Sequence, residues 1–223
     1  MSTPSLQLSQ PVLRPAEGIE AGLWLQSFAE RALAGVALAL ILPLLAVAAV
    51  SVAILSRRSP LIAHRRVGRH GAEFWMLKLR TMWNGERPSA PLRWIEYLPE
   101  STVPVFKGSS DPRVTSRLAA IYRRFSLDEC PQLLHVLAGQ MRLVGPRPIT
   151  FAEWNSYYGR SSEEVLSALP GITGLWQVIG RNRLTYAQRR RLDLFYVRHS
   201  GPRLDWLILL RTPLRVLSGR DAG

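Results

Sequence analysis

The hydrophobic pattern changes character three times along the chain. From Ala32 to Leu55 it is apolar on every side and uncharged. As a helix rising ~1.5 Å per residue, this run outreaches a hydrocarbon core of ~30 Å. It is followed by alternation: Met76, Lys78 and Arg80 fall on one side of an extended strand, and Trp75, Leu77 and Leu79 on the other. Together with the Gly68-Arg69-His70-Gly71 turn, this predicts a β-hairpin over Leu61 to Met82. Trp83 to Lys107 has no clean period and reads as a loop with one helical turn around Leu92 to Tyr97.

Helical spacing then takes over. Asp111-Pro112-Arg113 is a turn leading into a helix over Ser116 to Phe125. Cys130, Leu133, Leu134 and Leu137 stand at i, i+3, i+4 and i+7, predicting a short helix with that face buried and Gly139 at its C-terminal cap. With Asp128 as N-cap, Pro131 lies in the first turn, where proline is tolerated. Met141 to Val144 reads as a brief extended piece, Phe151 to Leu169 as an aromatic-rich helix or helix pair, and Leu184 to Val197 as a further helix. Leu204 to Leu217 sets Trp206, Leu207, Leu210, Leu214 and Leu217 against Arg211 and Arg215, the pattern of a helix lying on a membrane surface.

These elements predict an α+β, mostly helical fold. A flexible tail spans residues 1–27, a membrane-embedded helix 28–58, and a compact domain 59–223, with a small β-hairpin and surface amphipathic helices. Pro43 sits halfway along the apolar run, where it removes a ladder donor and bends the helix. An ordinary kinked anchor that spans the bilayer satisfies the residues equally well. Arg57, Arg58, Arg65, Arg66 and Arg69 crowd the C-terminal flank, which by the positive-inside tendency leaves the domain in the cytoplasm. The run is too long, and too far from the N-terminus, for a secretory signal.

Composition narrows the partners. The formal charge is +13; Met1 to Ser56 holds two Arg and three Glu, so the excess of cations lies wholly beyond the apolar run. An anionic partner follows. Only Lys78 and Lys107 are lysines; arginine is the better bidentate phosphate ligand, and a genomic codon bias accounts equally well for the bulk of the arginines. The single cysteine excludes an internal disulfide and a cysteine-rich metal site.

The densest chemistry lies in Ser126 to Pro148, SLDECPQLLHVLAGQMRLVGPRP. It holds the adjacent acids Asp128 and Glu129, and Arg147 fixed between two prolines. By spacing alone, Asp128 is as well explained as a helix cap and Glu129 as a first-turn acid matched to the helix dipole. Pro170 to Arg183, PGITGLWQVIGRNR, has glycines spaced to let backbone approach a ligand.

This stretch resembles the signature of the bacterial sugar transferase family, the monotopic phosphoglycosyl transferases. Arg65-Arg66-Val67-Gly68 through Lys78-Leu79-Arg80-Thr81-Met82, Asp111-Pro112-Arg113-Val114-Thr115, and Pro170-Gly171-Ile172-Thr173-Gly174-Leu175-Trp176-Gln177-Val178 agree in order, as does the Pro43-containing helix. Asp193, Tyr196 and Val197 match the family's DxxYV spacing. The likeness runs from about Phe28 to Leu217. It implies transfer of a sugar-1-phosphate from a UDP-sugar to undecaprenyl phosphate, with Asp128 as covalent nucleophile and Glu129 as a ligand of Mg²⁺. Arg147 and Arg181, with Lys78 and Arg80, are the implied phosphate-binding cations. The membrane helix is expected to break at Pro43 and return to the same leaflet, although Leu42 stands where family members often carry serine. The acceptor lipid, the inner membrane and downstream glycosyltransferases are the implied partners, and no nucleic acid. The sugar is not encoded in any motif, galactose or glucose being the expectation. A non-catalytic, membrane-tethered basic protein leaves the paired acids beside Arg147 unexplained, and a catalytically dead member of the family does not account for both acids being present.

Overall fold

A computed structural model describes residues 17–82, 93–98, 116–159 and 162–218. The first sixteen residues of the expected tail, most of the Trp83 to Lys107 loop and the Asp111 to Thr115 motif lie outside the described residues.

Helix α1 spans Glu17–Ser56, so residues 17–27 belong to it and not to a tail. It is continuous through Pro43, in place of the expected break at that residue. Its neighbours on both sides are strong helix formers, and one lost ladder bond does not end a helix whose packing is maintained elsewhere. The buried stripe is Ala34, Leu45, Ala48 and Val52, with Ile41 packed beside it. The opposite face, including Val36, Leu40, Val47 and Ile54, is exposed. Contacts with the domain are made towards both ends of the apolar run. Gln26 donates to Asp205 (3.0 Å), and Ser51 shares a hydrogen bond with Tyr122 (2.8 Å). The 31-residue segment Gln26–Ser56 is long and apolar enough to cross a membrane.

The hairpin forms as expected. β1 (Leu61–Val67) pairs antiparallel with β2 (Glu73–Leu79), Leu61 opposite Leu79 and Val67 opposite Glu73. The turn closes where the Gly68 N–H donates to the Ala72 carbonyl, with Gly71 at φ +80°. The helical turn expected around Leu92 to Tyr97 is instead a strand, β3 (Ile95–Leu98), parallel to β1. Isoleucine and tyrosine favour a pleated, half-buried edge over a helical turn.

Helix α2 covers Arg117–Arg124, between Ser116 and Phe125, as expected. The next segment departs from expectation. Leu127–Gln132 is a 3-10 turn, and the α-helix α3 occupies only Leu133–Leu137. Asp128 is therefore inside the turn and is not its N-cap, a position held by Ser126 at φ 55°. A 3-10 segment has three residues per turn, which shifts the phase of every side chain after it. Leu127, Pro131, Gln132, His135 and Val136 are buried, while Leu134 and Leu137 remain 45% and 37% exposed. Gly139 (φ +74°) does stand just beyond the helix end.

The short strand β4 (Arg142–Val144) pairs parallel with β5 (Gly171–Thr173). Between them, α4 (Phe151–Glu153) opens on a Thr150 capping box and runs into a π-helical turn at Trp154–Tyr158, followed by α5 (Ser162–Val165). Helices α6 (Leu175–Ile179), α7 (Tyr186–His199) and α8 (Pro202–Ser218) complete the chain. The main core joins Ala34 of α1 to Phe74, Met76, Val136, Val144, Val178, Tyr196 and Ile208. A second cluster packs Ala48 and Val52 against Leu79, Tyr122 and Leu127. Helix α1 is thus part of the domain's core.

Candidate active site

The acid turn is placed by what lies beneath it. Leu127 and Pro131 are buried, so Asp128 and Glu129 are carried over the end of strand β2. The Glu129 N–H donates to the Ser126 carbonyl (3.0 Å), tightening the turn. His135 ties the following helix to the strand: its Nε2 accepts the Leu77 N–H (3.0 Å), while Nδ1 pairs with Gln140 Oε1 (2.7 Å). The ring therefore carries its proton on Nδ1. This bond sets the residue next to Lys78 in register with the acid turn.

The alternation read from β2 holds: Met76, Lys78 and Arg80 are all buried on one face. Their partners differ. Lys78 Nζ lies 2.8 Å from Glu129 Oε1, and Arg147 reaches the same oxygen at 3.3 Å. Arg80 is not brought to the acids. Its Nε donates to the Ser59 carbonyl (2.8 Å) and its terminal nitrogen pairs with Glu96 of β3 (2.6 Å). Burial lowers its pKa against the pull of Glu96. Arg80 therefore ties the base of α1 to the sheet edge.

Arg147 is fixed from several directions. Its guanidinium lies 5.8 Å from the Trp176 ring centroid. Burial works to lower its pKa, but Glu129 and Glu153 outweigh that and raise it. Its backbone N–H donates to Asp193, which is 1% exposed and also accepts from the Tyr158 hydroxyl (2.8 Å). Burial pushes the Asp193 carboxyl up to about 7, against both donors. The sequence marks Asp193 only through the DxxYV likeness; its partners Tyr158 and Arg147 are remote in the chain, and no local pattern joins them. His135 and the Arg189 guanidinium, 4.8 Å from the Trp176 centroid, carried no signal for the same reason.

Arg181 sits on the other flank of the acid turn, donating to Ser126 Oγ (3.0 Å). A cavity of about 140 Å³ separates it from α8, lined in part by Glu129, Cys130, Ile172 and Val216. Gly171 and Gly174 of the Pro170 to Gly180 stretch pack against backbone. A Cβ on Gly145 would lie 2.6 Å from the Leu169 carbonyl oxygen, and one on Gly171 or Gly174 would collide with the Gly145 backbone.

Among the described residues no three His, Cys, Asp or Glu side chains gather as a metal cage. Mg²⁺ needs less than that: one or two carboxylates suffice when substrate phosphates and water complete its shell. The adjacent Asp128 and Glu129, the latter paired with Lys78 and Arg147, fit such an ion.

The family profile described as bacterial sugar transferase matches residues 22–219. The chain belongs to the bacterial sugar transferase family. It is 40% identical over 156 residues to the exopolysaccharide production protein ExoY of Sinorhizobium fredii, a match covering 67% of this chain and 66% of that one. It is 39% identical over 167 residues to the undecaprenyl-phosphate galactose phosphotransferase of Salmonella typhimurium, covering 72% of this chain but 33% of the relative. The UDP-galactose-lipid carrier transferase of Erwinia amylovora is 39% identical over 175 residues, covering 74% and 34%. The chain thus spans about two thirds of the first relative and about a third of the other two.

Proposed function

We propose that this sugar transferase moves a hexose-1-phosphate from a UDP-sugar to undecaprenyl phosphate, giving a polyprenyl diphosphate-sugar and UMP, the first membrane step of exopolysaccharide assembly. The carrying observation is the convergence of Lys78 and Arg147 on Glu129, next to Asp128, in a chain of this family. Two cations held on one carboxylate oxygen are already oriented for phosphate oxygens, which compete with Glu129 for them when a diphosphate arrives. The names of relatives that use UDP-galactose and undecaprenyl phosphate support the substrate classes.

In this reading an Asp128 oxygen attacks the β-phosphorus of the donor. The new bond is Asp128 O–P; the bond that breaks joins that phosphorus to the oxygen bridging it to the α-phosphate, and UMP departs with the electron pair. An oxygen of the lipid phosphate then attacks the same phosphorus, and the Asp128 carboxylate leaves. Splitting the transfer lets one nucleophile serve a soluble donor and a lipid acceptor in turn. Lys78 and Arg147 offset charge on the equatorial oxygens, and Asp193 with Tyr158 holds the Arg147 backbone in place. Glu129, with Asp128, would hold Mg²⁺, which supplies further neutralisation of the diphosphate.

The membrane side rests on α1 and α8. The outer face of α1 and the strip Trp206, Leu210, Leu214 and Leu217 are exposed and apolar. Helix α1 is docked on the domain near Gln26 and near Ser51. In this reading the helix lies along the cytoplasmic leaflet with both ends on the domain's side. Mass spectrometry after mixing protein, Mg²⁺ and UDP-sugar without acceptor tests the reaction: a phosphosugar adduct on the peptide containing Asp128, with matching UMP release, is expected. An Asp128→Asn variant that still makes lipid-linked product at the parental rate overturns it.

A further inference from the structure

The cavity beside the acid turn has a composition unlike the phosphate-binding side. Leu133, Ile172, Val178 and Val216 form its apolar walls, Thr173 and Gln177 lie among them, Ser126, Glu129 and Arg181 border it, and α8 closes it with Thr212 and Arg215. Cys130 adds its half-buried side chain to the lining. Its size, about 140 Å³, is close to that of an apolar cavity of ~150 Å³ that accommodates benzene. One five-carbon isoprene unit is of that order.

We propose that this cavity receives the head end of the polyprenyl phosphate acceptor, with its phosphate beside Arg181 and Glu129 and its first isoprene unit against Leu133, Ile172, Val178 and Val216. The proposal rests on the two-step transfer described above, and that chemistry supplies its main argument. Each displacement at phosphorus is in line, so the lipid phosphate must attack from the side that UMP has vacated, opposite Asp128. The two phosphates share one place in turn, and only what they carry diverges. A uridine needs hydrogen-bonding partners, whereas an isoprenyl chain needs apolar walls; the surface the cavity exposes is predominantly apolar, with Ser126, Thr173 and Gln177 among its polar members. Its position agrees. Thr212, Arg215 and Val216 face the cavity, while Leu210, Leu214 and Leu217 of the same helix are exposed and apolar on the outside. A chain leaving the cavity over α8 passes directly onto a surface suited to lipid. Arg215 steadies that wall by donating to the Val178 carbonyl at 2.8 Å.

Filling the cavity tests this. Val216→Trp and Ile172→Trp are expected to raise KM for undecaprenyl phosphate at least about tenfold, while incorporation of labelled UMP into UDP-sugar without acceptor falls by less than about twofold. If UMP exchange collapses with the acceptor KM unchanged, the cavity holds the donor and the assignment is wrong. If neither parameter moves in folded variants, the cavity binds no substrate and the assignment is equally wrong. Absence of exchange in the parental protein would remove the two-step reading, yet a raised acceptor KM would still place the lipid here. A diazirine-bearing farnesyl phosphate, applied to the unmodified protein, gives a second readout independent of variant folding. Label on peptides containing Ile172 to Val178 or Thr212 to Val216 supports the site, and label confined to α1 overturns it.

Discussion

Arg181 donates a hydrogen bond to Ser126 Oγ at 3.0 Å, joining two non-glycine residues that both have positive φ, 45° and 55°. Such backbone costs ~1–3 kcal/mol per residue and persists where the surroundings over-determine it. Ser126 begins the acid turn, and Arg181 follows Gly180 on the opposite rim of the cavity. Replacing Ser126 separates the two contributions. Ser126→Ala loses the acceptor and keeps the strain, whereas Ser126→Gly loses the acceptor and relieves it. The alanine variant should be less stable than the glycine variant by about 1 kcal/mol, read from thermal midpoints in one detergent.

Arg147→Lys should lower kcat by on the order of 10²-fold, because an ammonium cannot reproduce a planar fork held against Trp176. Lys78→Met should act on the same oxygen of Glu129, so the double variant should lose less than the product of the two single losses. Steady-state kinetics on all three proteins checks this; strict multiplicativity would mean the two cations act independently.

The Asp193 carboxyl gives a pH dependence of stability. Its folded value, about 7, lies above the ordinary 3.8, so between roughly pH 4 and pH 7 the folded protein binds more protons than the unfolded chain. Stability contributed by this group is complete below that window and is lost as pH rises through it, by up to ~1.4 kcal/mol per pH unit. Asp193→Asn should abolish this part of the slope. Thermal melts of both proteins from pH 4 to pH 8 measure the difference.

Gly145→Ala or Gly171→Ala should destabilise by about 3 kcal/mol or more, since each new Cβ meets backbone that cannot rotate away. Ala at Gly159, where nothing lies within 4 Å, meets no such wall, and its cost is confined to its positive φ. Comparative melts of the three variants separate the two mechanisms.

The proposed disposition of α1 along the cytoplasmic leaflet predicts that a cysteine placed N-terminal to Gln26 is protected from a membrane-impermeant thiol reagent outside intact cells, and becomes reactive on the cytoplasmic side of inverted vesicles. Labelling from outside would show a spanning helix.

The sequence exposes elements whose period and boundaries are local. The hairpin, α2 and the amphipathic α8 are of this kind, since alternation, Ser116 and the leucine spacing each act within a few residues. The phase of the acid helix was not readable, because a 3-10 turn at Leu127–Gln132 obeys a different period from the one assumed. The buried stripe of α1 is invisible where every position is apolar; only its alanines hint at close packing. β3 is four residues whose partner strand is remote, and Arg80 sits on the face that alternation assigns while its role depends on Glu96. Of the site, the acids, Lys78 and Arg147 were legible by family likeness and are brought together. His135, Tyr158 and the partners of Asp193 required the fold.

The seam between Gly145 and Gly171 bears on movement. The Gly145 N–H donates to the Thr173 carbonyl, and the Gly171 N–H to the Pro146 carbonyl. With no side chains to act as a spacer, the loop of Arg147 and the strand leading to the cavity wall are riveted together. Displacement of the cavity wall at Ile172 is thereby coupled to displacement of Arg147, because both are carried by the two chain segments these bonds join.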